Sequence, residues 1–323
     1  MPVMELTKLQ CYRNQIPDDV FVCCANGEGR CLGSLQKFDG YKFNQAFLFF
    51  YDKRDSKSHD NINSMRTILS KIGPTREIAT SDEDPITGIA KFCSLLKELN
   101  ITPAASIITV DITALSTKHI LLLLRTVDSL GFWGSIRLVY SEPKDYVADL
   151  YLPMSSGIRR IDVVPGFVNN QCLSKSLLLL IFLGYEGDRA NALVQNIDPN
   201  ETLLAIPRPA FHPEWEKRTE EMNSNLIQLI GDDHKIEMHS LDCNEVAVTL
   251  SKILVYGPGS PLAHKNCCIV PLGTKPQTVG LYLFWRQNVG KFEIQHASPL
   301  EVNEQFVSRG IGKTWLLVNP DKS

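Results

Sequence analysis

"LLLIFLGYEGDRANAL" fills residues 178–193 and reads as a buried strand, a turn of glycine, acid and arginine, and a helix start. "VFVCCANGEGRCLGSL" at 20–35 reads the same way. A short apolar run without alternation suits a parallel strand buried on both faces. Glu28 falls against Glu186, an offset of 158. The agreement continues in order along the chain. "AFLFFYDKR" (46–54) matches "TLLAIPRP" (202–209), and "REIATSDEDPITGIAKFCSLL" (76–96) matches "IEMHSLDCNEVAVTLSKIL" (236–254). The match sets Arg54 against Arg208 and Asp82 against Asp242. "IITVDITALSTK" (107–118) matches "CCIVPLGTK" (267–275), setting Thr117-Lys118 against Thr274-Lys275 across a three-residue difference in loop length, and "IRLVYSEP" (136–143) matches "FEIQHASP" (292–299). "SSGIRRIDVVP" (155–165) matches "SRGIGKTWLLVNP" (308–320). The offsets run 158, 154, 160, 157, 156 and 153, nearly constant, and imply that the chain is written twice.

Each copy alternates strands with amphipathic helices, such as 61–73 closed by Gly73 and 85–100 opened by "SDED". That rhythm predicts an α/β fold: two tandem Rossmann-like, doubly wound, mostly parallel sheets, related by internal duplication and an approximate two-fold axis. The expected organisation is an N-terminal extension at 1–18, repeat A at 19–165, a linker at 166–175 and repeat B at 176–323. The last strand of each copy follows no long helix, so its direction stays open.

With 323 residues, the chain is long enough for two cores and needs no metal or disulfide for stability. Its net charge of −3 argues against general duplex nucleic-acid binding, which draws its affinity from a basic excess. Nine cysteines without a C-x-x-C spacing read as reduced core residues. No basic region followed by an apolar one opens the chain, and the most apolar stretch, 176–184, is far short of the ~20 residues of a membrane span. The expectation is a cytoplasmic protein with no membrane segment, no metal and no cofactor.

Ligands of open parallel sheets bind beyond the carboxyl ends of the strands. Glycine there lets the backbone approach a ligand, amides at a helix start favour anions, and arginine grips phosphate with two hydrogen bonds. The candidates are Gly27, Glu28 and Arg30 in the first copy, and Gly184, Glu186, Gly187 and Arg189 in the second. Mutual pairing of Glu and Arg on a helix cap is the alternative. Thr113 and Lys118, and Gly273, Thr274 and Lys275, follow the fourth strand of each copy and suit phosphate or ribose oxygens, or plain helix capping. Asp52, Arg54 and Arg208 end the second strands. His212 and Trp215 either stack on a base or pack a helix start. For catalysis the acids Glu186, Glu28 and Asp111 are the candidates. "GIGKT" at 310–314 mimics a P-loop, but its first glycine position is Val307, and the repeat explains it better as the counterpart of "GIRRI".

The turns "NGEGR" and "GYEGDR", with "PLGTKP" and "DITALSTK", resemble the CRISPR-associated Rossmann fold sensors and the fused pairs called SAVED domains. That resemblance implies a cyclic or linear oligoadenylate held between two such units, in antiviral defence signalling. No effector domain accompanies it, so a protein partner would carry the effector activity. Three readings follow. The first is a sensing module for a nucleotide or cyclic oligonucleotide, with the ligand in a cleft between the halves. The second is an enzyme on a phosphate-bearing substrate, and the third a non-catalytic scaffold subunit.

Overall fold

The computed structural model describes residues 3–13, 15–52, 56–146, 155–185, 187–302 and 308–318. The chain divides into two compact units, Met1–Val147 with Val307–Ser323, and Ala148–Phe306. The first half supplies β1 (Met4–Glu5), β2 (Asp18–Ala25), β3 (Phe43–Tyr51), α1 (Ser56–Leu69), β4 (Thr75–Thr80), α2 (Pro85–Glu98), β5 (Ile108–Asp111), α3 (Thr117–Ser129) and β6 (Ile136–Tyr146). The second unit runs β7 (Ser155–Val163), β8 (Leu177–Phe182), α4 (Gly187–Ile197), β9 (Glu201–Pro207), α5 (Pro213–Met222), α6 (Ser224–Ile230), β10 (Lys235–Met238), α7 (Cys243–Leu250), α8 (Pro261–His264), β11 (Asn266–Pro271), α9 (Lys275–Gln287) and β12 (Glu293–Val302). The chain then returns to the first unit as β13 (Ser308–Val318).

The two sheets share one plan. The first has the order β1-β13-β6-β5-β2-β3-β4, and the second β10-β9-β8-β11-β12-β7. In each, five parallel strands are followed by one antiparallel strand, β13 against β6 and β7 against β12. The first and fourth strands of each copy lie side by side, β2 with β5 and β8 with β11, and the order reverses there. The central strands are sealed on both faces: Val20 to Ala25 and Leu178 to Phe182 are all buried. Phe47 and Phe49 pack on Phe92 of α2 in the first core. Leu179, Ile181, Leu193, Leu204 and Val270 meet in the second.

The expected boundaries are corrected at three places. The final strand of each sequence repeat lies in the other repeat's sheet: β7 pairs β12 and β13 pairs β6. The physical reason is main-chain complementarity, since each antiparallel strand completes an edge left by a parallel one. Residues 1–18 are no separate extension, because β1 pairs β13 and Arg137 reaches the Gln10 carbonyl at 3.0 Å. Residues 166–175 are no free linker, because Phe167 is fully buried against Tyr282 and Trp285.

The duplication extends to fine geometry. Gly157 and Gly310 hold φ of +60° and +65° at matching places in β7 and β13. Pro299 stands opposite Ile158 and Pro143 opposite Ile311, and a one-residue bulge follows each pair. Asp84 caps α2 and Asp242 caps α7, each accepting amide hydrogens of the first turn. Just before them, Ser81 Oγ accepts the amides of Glu83 and Asp84, and His239 Nδ1 accepts those of Leu241 and Asp242. These pairs sit 158 apart, so Asp84 rather than Asp82 is the partner of Asp242.

Candidate functional site

The corner after β2 opens a short 3-10 helix, Gly29–Leu32, with Glu28 at its cap. Arg30 is buried there. Its Nε donates to Glu28 at 2.6 Å, and its outer nitrogens donate to Glu28, to the Tyr140 hydroxyl at 3.2 Å and to the Ser141 carbonyl at 3.4 Å. Ser308, the first residue of β13, donates its hydroxyl to Glu28. Ser34, in the same segment, donates to Asp111 at the end of β5, and the Thr113 amide donates to the other Asp111 oxygen at 2.8 Å. Thr113 Oγ1 accepts the Ser141 amide at 2.9 Å. The crevice beside β2 and β5 is therefore packed by the protein's own side chains. Cys31, beside it, is pushed up to about 12, chiefly by burial, and the buried Cys23 is raised as well, so neither is a thiolate at neutral pH.

The second corner repeats the design with different letters. Arg189, buried in the first turn of α4, donates to Ser155 Oγ at 2.9 Å and to the Ala297 carbonyl at 2.7 Å. Ser155 opens β7 as Ser308 opens β13, and Ala297 matches Ser141 in its ladder. Each arginine thus ties the strand-to-helix corner to the fifth strand, and each corner meets the first serine of the antiparallel strand. Gly184 and Gly187 allow close backbone contact: a Cβ on Gly187 would meet the Met222 carbonyl at 1.7 Å, and one on Gly184 the Leu272 carbonyl at 2.5 Å. The carbonyls of Asn26 and Gly184 each accept a side-chain amide, from Asn61 and Asn223, at 2.8 Å. Gly27 lies half-buried in the first turn. Glu186 and Arg54 lie outside the described residues.

The starts of α3 and α9 differ in a way the sequence did not reveal. Ser116 and Thr274 are their caps, again 158 apart, so Thr117 and not Lys118 stands where Lys275 does. Thr274 forms a reciprocal capping box with Gln277, whose Nε2 also donates to the Met238 carbonyl at the end of β10. In the first unit His119 takes that place. It is fully buried, and it hydrogen-bonds Ser116 through Nδ1 and Thr80, at the end of β4, through Nε2, each at 2.8 Å. His119 went unnoticed in the sequence, yet the signal was there, as Ser-x-x-His aligned with Thr-x-x-Gln.

Asp82 approaches the same helix start, 3.6 Å from His119 Nδ1. Burial works to raise its pKa. Hydrogen bonds from His119 and Ser116, with the attraction of His119 and Lys118, outweigh that and bring it to about 2. Its side chain is 56% exposed, so water screens part of this. Buried Lys118 donates to the Asp82 carbonyl. The first unit thus sets its own carboxylate where the amides and dipole of a helix start would receive an anion. In the second unit Ser240 stands at the matching place, its carbonyl accepting from Thr274 Oγ1 at 2.5 Å, and Lys275 is half-exposed beside Gly273.

The remaining candidates are dispersed. Asp52 is exposed at the end of β3. Arg208 donates to Glu216, Glu220 and Glu237 at 3.2, 3.1 and 2.7 Å, a surface cluster that offers carboxylates rather than a free cation. Trp215 is buried edge-on to His212 at 4.4 Å between ring centres, which packs the start of α5. Among the described residues, no group of three or more His, Cys, Asp or Glu is placed to hold a metal ion. Among them too, no helix is long and apolar enough to cross a membrane.

No family model matches the chain, and no curated protein does. Solved structures similar to it include the cytoplasmic domain of a prokaryotic cation chloride cotransporter. The identity is 9%, over 88% of this chain and 96% of that one, with a TM-score of 0.26. A likeness of that size carries no argument, and the class of the protein, a tandem Rossmann-like α/β chain, rests on its own sheet orders.

Proposed function

We propose that the chain is a binding module for a phosphate-bearing, nucleotide-type ligand, received at the strand edge of the second unit around Gly273, Thr274 and Lys275. One observation carries this reading. Asp82 places a carboxylate at the start of α3, whereas its counterpart at the start of α9 is the neutral Ser240, and Lys275, half-buried as a residue, opens that helix. A site of that charge favours an anion from solution. The resemblance of the turns to oligoadenylate sensors makes cyclic and linear oligoadenylates the first ligands to try, and a defence-signalling role with an effector partner belongs to the same proposal. Catalysis is less well supported, because the oxygens of Glu28 and Asp111 accept hydrogen bonds from protein groups.

Isothermal titration of the intact protein with inorganic phosphate, mononucleotides and oligoadenylates tests the reading. Saturable binding is expected, weakened about tenfold or more by Lys275→Ala, the worth of a charged hydrogen bond. Ser240→Asp copies the first unit and is expected to abolish it. No heat from any ligand on folded protein, or binding indifferent to Ser240→Asp, rejects the site. The scaffold reading would then stand, favoured by the hydrogen bonds that commit Arg30 to Glu28, Tyr140 and Ser141 within the protein.

A further inference from the structure

We propose that the outer edge of β7, at Arg160 to Val163, pairs with the same edge of a second copy of this chain, as antiparallel strands related by a two-fold axis at Ile161. The duplication shows which edge is uncovered. In the first unit β13 has a strand on each side, β6 and β1, and the Leu6 amide donates to the Thr314 carbonyl at 2.7 Å. β7 is the counterpart of β13, and among the described residues its one sheet neighbour is β12.

The ladder sets which groups face outward. The Val164 amide donates to the Ile294 carbonyl. Main-chain groups alternate along a strand, so residues 160, 162 and 164 turn theirs to β12, and Ile161 and Val163 turn theirs outward. Ala297, opposite Ile161, agrees with that phase, since its carbonyl accepts Arg189 rather than a β7 amide.

Charge selects the occupant. Arg160 and Asp162 lie two residues apart on one face and pair with each other at 2.5 Å, with side chains 56% and 33% exposed. Strands that meet at Ile161 set Ile161 against Ile161 in a hydrogen-bonded pair, each amide donating to the other's carbonyl. The flanking pairs are not hydrogen-bonded and bring side chains closest, and they set each Arg160 against Asp162 of the second copy. Neither internal ion pair has to break: two of them, side by side and reversed, make a rectangle of alternating charge. Moving the axis one residue either way sets Asp162 against Asp162 or Arg160 against Arg160, which is unfavourable. The bulge at Arg159 and Pro165, which has no amide, bound the paired segment. An edge guarded by charge of one sign repels its own copy, whereas this edge carries both signs in self-complementary order. The contact is isologous, so it closes at a dimer.

Sedimentation velocity of the intact chain tests this, run up to roughly 100 μM because so short an interface binds weakly. A concentration-dependent equilibrium between monomer and dimer is expected. Asp162→Arg sets like charges against each other at both symmetric places and should weaken the dimer about tenfold or more. Adding Arg160→Asp to it restores opposite charges and should bring the dimer back to within about threefold of the unmutated chain. Amide exchange on the unmutated chain needs no variant to fold, and protection of the Ile161 amide should rise with protein concentration. A monomer at every concentration, a dimer indifferent to Asp162→Arg, or exchange at Ile161 independent of concentration overturns the proposal.

Discussion

His119 and Gln277 show one position solved by two side chains. Both join a helix cap to the end of the neighbouring strand, at Thr80 in one unit and Met238 in the other. His119→Gln should therefore leave stability within about 1 kcal/mol, whereas His119→Ala, which strands the buried Thr80 hydroxyl and the half-buried Ser116 hydroxyl, should cost about 1–3 kcal/mol in denaturant unfolding. Equal losses for both would refute the equivalence. Asp82 gives a pH signature. Its pKa falls from the ordinary 3.8 to about 2 on folding, so its stabilisation is present above pH 3.8 and fades as pH drops toward 2. The stability gap between the unmutated chain and Asp82→Asn should shrink over that window, and a gap independent of pH would contradict the pairing. Neither role was legible from residue type alone. Two of the partners of Arg30, Tyr140 and Ser141, lie 110 and 111 residues away, and a guanidinium suited to phosphate is equally suited to a carboxylate and a carbonyl.

At the scale of elements, β7 and β13 are bent by the same device. L-residues disfavour positive φ by about 1–2 kcal/mol, and a Cβ at Gly157 or Gly310 would also crowd Leu300 or Lys144 at 3.1 or 3.2 Å. Gly157→Ala and Gly310→Ala should each lower stability by at least that amount, while Gly134→Ala, with open space around its Cβ, should be close to neutral. A neutral Gly310→Ala would mean that β13 does not need this kink. Strands, caps and the double writing were readable because apolar runs and Asp or Ser/Thr caps are local signals. The alignment slipped at Asp82 and Lys118 because loops of unequal length intervene, and only the cap hydrogen bonds fix the register.

For the whole molecule, the exchange of β7 and β13 makes neither sequence repeat self-sufficient. Local patterning carries no mark of which sheet an antiparallel strand joins, so boundaries at 165 and 176 followed from the repeat and missed the crossing. A fragment of residues 1–165 lacks β13 and bares the edge of β6, so it should aggregate or stay loosely packed. Mixing it during refolding with 166–323 should restore the circular dichroism and unfolding profile of the intact chain. A stable, monomeric 1–165 would sink this view. The same crossing sets a timetable during synthesis. About 160 residues separate Tyr146 from Ser308, and at roughly 5–20 residues per second a ribosome needs on the order of 10–30 s to deliver them. Through that interval the nascent first sheet waits with one flank uncovered, which gives holdase chaperones a defined window in which to bind it.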